Sequence, residues 1–264
     1  MPAFAPKSLG NKAEDLLYCL LWTVDKLVRP TFRNLTDSFE AWAYRKGFHQ
    51  QLWKLERRQL IERQTSQPRQ RLYRLTENGR LYALGGRDPA MQWNRVWDNH
   101  WRLVVYDLPE KRNAARNRLR RFLRAHGFGY LQNSVWITPD PLAEIVKQWC
   151  KGGKDVESLI ALEARPCAGE SNAAIVEGAW DFERINRSYA KCLAILRQLP
   201  PRKAASSDAK VLLHRWARAE RLAWLEAVSL DPLLPSVLLP EGYRGQQVWE
   251  RRAEALRHAA ELIS

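Results

Sequence analysis

The chain has 264 residues, 45% of them hydrophobic and 27% charged, with 12 Trp and a formal net charge of +14 from 43 basic and 29 acidic residues. That length exceeds one ordinary domain, and that apolar content excludes wholesale disorder, so two or three small packed domains are expected. The basic excess points to a polyanionic partner, either nucleic acid or an anionic surface, and it is uneven: 16 basic against 8 acidic residues in 1–87, 13 against 11 in 88–180, and 14 against 10 in 181–264.

Cys19, Cys150, Cys167 and Cys192 lie far apart without C-x-x-C spacing, which reads as reduced structural thiols in a cytoplasmic protein. The apolar run "LLYCLLWTV", 16–24, has the length of a signal-peptide core. Glu14 and Asp15 precede it, however, no small-residue cleavage site follows, and nine residues do not span a bilayer. A buried helix is expected there, and no membrane association.

From Ala13 to Val28 the apolar residues Leu16, Leu17, Leu20, Leu21, Val24, Leu27 and Val28 recur at helical spacing, and Pro30 ends the pattern. Thr36 is the expected N-cap of a short second helix, and a third runs from about Phe48 to Gln59 with Phe48, Leu52 and Leu55 inward. Two short strands follow, Leu60 to Arg63 and Arg71 to Leu75, joined by a polar loop with Pro68. Three helices and a β-hairpin form the winged helix-turn-helix pattern, whose third helix enters the major groove while the wing meets backbone or minor groove. Off the core face stand Arg45, Lys46, His49, Gln50, Trp53 and Lys54, with Gln67, Arg69 and Arg71 on the wing. The cations suit phosphates, His49 and Gln50 suit base edges, and Trp53 is bulky for groove reading.

Residues 91–100, "MQWNRVWDNH", read as a connector. The strand "WRLVVYDL" follows, then a helix with Ala115, Leu119, Phe122 and Leu123 on one stripe, stopped by Gly127. Its other face carries Arg116, Arg120, Arg121 and Arg124, read as a solvated face, a second DNA surface or the rim of an anion pocket. Strands at 129–132 and 135–138, the helix "PLAEIVKQWC" and the strand "VESLIALEA" complete the order β-α-β-β-α-β of a ferredoxin-like domain.

"WRLVVYDLPEKR", "LRRFLRAHGFGYLQNSVWI" and "SLDPLLPSVLLPEGYRG" together resemble the PaaX family of phenylacetic-acid degradation repressors, in the right order over nearly the whole chain. The resemblance implies an α+β protein with an N-terminal winged helix-turn-helix domain at 1–88, a ferredoxin-like domain similar to the small CRISPR-associated endonuclease at 89–178, and a helical C-terminal domain at 179–264. It further implies a homodimer on palindromic double-stranded operator DNA, released by an aryl-CoA thioester such as phenylacetyl-CoA. The helix "GFHQQLWKLERRQ" departs from the small residues usual in that family.

The C-terminal segment reads as a helix over Trp180 to Leu199, with Phe182, Ile185, Tyr189, Cys192, Leu193 and Leu196 at core spacing. A loop at 200–208 follows, then helices over Ala209 to Ser229 and Gly245 to Ile263 flanking the Pro-rich "DPLLPSVLLP", expected as a rigid exposed turn. His214 and His258 have no metal-ligand spacing. No Walker loop, nucleophile elbow or Cys/His cluster occurs, so no cofactor, metal or catalytic residue is expected. The rival reading is a metal-dependent nuclease in which Asp107, with Glu110 or its own copy across a dimer, ligates Mg²⁺.

Overall fold

Strand β3, Trp101–Asp107, has its side chains alternating between two faces, and both faces carry buried aromatic or aliphatic residues, Trp101 on one and Val104 and Tyr106 on the other, so the sheet it belongs to must be covered on both sides. In the computed structural model the described residues are 46–67, 70–107, 113–143, 158–167, 169–200 and 207–263, with Ala13 and Leu17. They fall into two compact units. One holds Asp88–Arg187 and Glu226–Tyr243; the other holds the described parts of Ala5–Arg87, Ser188–Leu225 and Arg244–Ser264.

In the first unit β3 pairs antiparallel with β5, Val135–Thr138, and with β6, Ser158–Ala164, while β4, Gly129–Gln132, pairs with β5. The resulting order, β4-β5-β3-β6, is that of a ferredoxin-like sheet. Helix α4, Asn113–Ala125, covers one face: its Leu119 and Leu123 pack with Val104, Tyr106, Phe128 and Trp136. It ends where the amide of Gly127 donates to Arg124 and that of Phe128 to Leu123, a left-handed stop that Gly127 makes at φ 80° without a Cβ penalty. The two-residue link after β4 places Asn133 at φ 46°, a conformation asparagine tolerates. The expected helix "PLAEIVKQWC" lies almost wholly outside the described residues.

The other face meets helix α5, Asn172–Ala179, and the Pro-rich segment, with Trp101, Ile137, Val176, Trp180, Leu234 and Leu238 in one core. The indole N–H of Trp101 donates to Asn172 at 2.9 Å and that of Trp180 to the Gly127 carbonyl at 3.1 Å, so these rings bury area without orphaning their polar edge.

Two expectations need correction here. The connector at 91–100 begins inside a helix, α3, Pro89–Trp93, started by Asp88, whose carboxylate accepts from Ala90, and by Pro89 at the first turn; five residues are too few for periodicity to register. The run "DPLLP" is a buried strap and not an exposed turn. Asp231, Leu233 and Leu234 are fully buried, Ser236 and Val237 are exposed, and Leu239 and Pro240 are half-buried. Asp231 accepts from the Leu233 amide at 2.8 Å and from the Tyr243 hydroxyl, Trp93 donates to that hydroxyl at 3.1 Å, and Arg95 donates to the Leu233 carbonyl and, at 2.7 Å, to Asp140. Leu233, at φ 54°, is held in a left-handed conformation by bonds on both its amide and its carbonyl.

Arg102, buried in β3, is bonded on all sides. It donates to Asp98 at 2.8 Å, to the carbonyls of His100 and Pro139 at 3.1 Å each, and to Glu163 of β6 at 3.3 Å. The hydrogen bond from Arg102 is the main reason that the Asp98 carboxyl is held down at about 2, below its usual 3.8.

In the second unit helix α1, Lys46–Arg57, is followed by a hairpin of β1, Ile61–Gln67, and β2, Gln70–Leu75, and then by α2, Glu77–Ala83. Both strands are longer than alternation indicated, because the outer pairs Thr65 with Arg71 and Gln67 with Gln70 are carried by backbone bonding between polar residues. Leu52, Leu55, Leu60, Ile61 and Ala83 form the core, joined by Ala13 and Leu17, the described residues of the first expected helix. Helix α1 stops as α4 does, with Leu60 donating to Leu55 and Gln59 to Glu56, but here Gln59 supplies the left-handed residue at φ 55°.

Helix α6, Phe182–Leu196, begins in the first unit; α7, Ser207–Leu230, and α8, Gly245–Ile263, follow. Ile185, Tyr189, Cys192 and Leu196 are buried as their spacing indicated, whereas Phe182 and Leu193 are half-buried. In the second unit Glu220 of α7 and Arg252 of α8 form an ion pair at 2.7 Å with both side chains buried, and the guanidinium lies 4.5 Å from the Trp224 ring. Burial pushes the Glu220 carboxyl above the usual range, against the pull of Arg252. Removing only one partner of such a pair leaves a buried charge and costs about 3–5 kcal/mol, far more than the pair itself contributes.

Two outcomes follow for stability. A Cβ at Gly79 would sit 1.8 Å from the Leu60 carbonyl oxygen, which is backbone and has nowhere to move; Gly79→Ala is expected to cost about 3 kcal/mol in chemical denaturation. Because the Asp98 carboxyl is depressed, its contribution is present above 3.8 and lost as pH falls toward about 2. Thermal melting between pH 5 and pH 2 is expected to decline more steeply for the wild type than for Asp98→Asn.

Candidate nucleic-acid interface

Helix α1 presents two faces because Leu52 and Leu55 must be buried against the hairpin. Gln50, Trp53, Lys54 and Arg57 then fall at i, i+3, i+4 and i+7 on the opposite side, and all four are exposed. Lys46 and His49 occupy α1 one turn earlier; Gln67 and Arg71 lie in the paired strands near the hairpin tip. Arg45 and Arg69 lie outside the described residues. Of the nine residues singled out from sequence, the structure thus brings Gln50, Trp53 and Lys54 together on one exposed helix face.

It adds two that sequence reading missed. The Arg57 guanidinium lies 5.2 Å from the Trp53 ring centroid, and Trp53, Lys54, Arg57 and Arg58 are the described residues that line an open cavity of about 440 Å³. Trp53 itself is 58% exposed. The i, i+4 spacing of Trp53 and Arg57 is the signal in the sequence that points to this pair.

The arginine face of α4 is of a different kind. Arg120 donates to the Tyr106 hydroxyl at 3.4 Å and Arg124 lies 5.6 Å from the Trp136 ring, so both cover the aromatic core of their own domain. Asp107 is exposed at the last position of β3, in register with Ser158. Among the described residues no three His, Cys, Asp or Glu side chains gather at metal-binding distance, and Glu110 lies outside them. Among the same residues no helix is long and apolar enough to cross a membrane.

Residues 94–176 match the family model of the PaaX protein central Cas2-like domain, which is the sheet of β3 to β6 described above. Among solved structures, uncharacterized protein Rv0674 from Mycobacterium tuberculosis has the same fold, with a TM-score of 0.53 and 18% identity over 97% of this chain and 98% of its own. No curated protein matches the sequence.

Proposed function

We propose that this chain, built around a PaaX-type central domain, is a DNA-binding transcriptional regulator: a cytoplasmic homodimeric repressor of an aromatic-acid catabolic operon, relieved by an aryl-CoA thioester. The observation that carries the reading is the match of residues 94–176 to the PaaX central domain. Helix α1 followed by an antiparallel hairpin supports a winged helix-turn-helix at the N-terminal end, with α1 as the helix that meets DNA.

On this reading Lys46, Lys54, Arg69 and Arg71 neutralise phosphates and set register, His49 and Gln50 face base edges, and Arg57 and Arg58 extend the phosphate contacts beyond the helix end. Gel-shift assays with the chain's own upstream DNA are expected to show binding that weakens steeply with salt. Replacing Lys54, Arg57 or Arg58 with Ala is expected to lower the salt slope by about 1 each, with uniform loss across sequences. Phenylacetyl-CoA or another aryl-CoA thioester is expected to release the operator. Retention at every thioester concentration removes the effector from this reading, and absence of binding at low salt removes DNA.

Asp107 is read as a strand-end residue. Mg²⁺-dependent cleavage of plasmid or RNA that disappears in Asp107→Ala would replace the regulator with the nuclease alternative.

A further inference from the structure

We infer that Trp53 and the cations around it form a seat for one unstacked nucleobase and its adjoining phosphate, so that DNA is gripped at this helix by stacking as well as by charge. The inference rests on the DNA-binding reading above and names what the helix holds. A large indole, more than half exposed on the outward face of α1, is a poor reader of base edges but a good stacking platform, since every base presents a π-face. The Arg57 guanidinium stacked near it favours a planar, electron-rich guest.

Lys54 and Arg58 also line the cavity, and the cations among its described lining residues favour an anionic partner over an apolar protein surface. Its volume, about 440 Å³, falls within the range of small-ligand sites, which suits a single nucleotide. In an intact duplex each base is already stacked between its neighbours, so filling this seat requires a base that is extruded, bulged or at an opened step. The surface therefore favours distorted DNA.

The test compares the full chain on two oligonucleotide duplexes at fixed salt, one continuous and one with a single 2-aminopurine bulge. Fluorescence of the bulged base is the second readout. The wild type is expected to bind the bulged duplex more tightly and to quench the 2-aminopurine. Trp53→Ala is expected to lose about tenfold in affinity on the bulged duplex, to lose less than about twofold on the continuous one, and to abolish quenching, while Trp53→Phe retains most of both. Equal wild-type affinity for the two duplexes, or an equal loss on both in Trp53→Ala, overturns the inference and leaves DNA binding standing. Binding to neither duplex at low salt overturns both.

Discussion

The ferredoxin-like sheet turns on a charge it must bury. Arg102 is the second residue of the domain's first strand, buried on the face that also carries Val104 and Tyr106, where an unpaired guanidinium would cost several kcal/mol. Its donors are instead shared among the segment entering β3, the carbonyl that ends β5 and a carboxylate on β6. Three separate stretches of chain are fixed against one side chain, and the strand order β4-β5-β3-β6 places all of them within its reach. The apolar cores on the two faces supply most of the stability, but they are tolerant of small slips; the guanidinium is directional and is not.

The same division between apolar bulk and directional polar contact recurs in each unit. In the first unit Trp93, Trp101 and Trp180 fill core volume, and each indole N–H reaches a hydroxyl, an amide oxygen or a carbonyl, whereas the equally buried Trp136 and Trp224 leave theirs without a hydrogen-bond partner among the described residues. The "DPLLP" strap works likewise: Asp231 and Arg95 satisfy the two backbone groups of Leu233 that its left-handed conformation turns away from regular pairing. Glu220 and Arg252 do for the C-terminal helices what Arg102 does for the sheet.

The exposed face of α1 is arranged differently. Arg120 and Arg124 of α4 cover their own core, whereas Trp53 carries a large aromatic surface into solvent beside three cations. An exposed indole has a hydrophobic cost, and on the inference above the guanidinium near it and the open cationic cavity give that cost a function in holding a planar base and its phosphate.

By itself the sequence determined the elements that periodicity and stop signals encode: the strand that ends at Asp107, the helix closed by Gly127, the two short strands on either side of Asn133, and the final helix from Gly245 to Ile263. It also marked the inward positions of α1, since Leu52 and Leu55 can only pack inward. Tertiary structure alone decided the rest. The short helix Pro89–Trp93 has too few residues to show a period, and the outer hairpin pairs between Thr65 and Gln70 are polar, held by backbone bonds that side-chain patterning does not report. The burial of the Pro-rich strap depends on Trp93 and Arg95, more than a hundred residues earlier, and the cavity beside Trp53 depends on a helix end placing Arg57 and Arg58 around the ring. Local spacing dictates which face of an element is apolar; which surfaces meet is set by long-range contacts, and those exist only once the chain has folded.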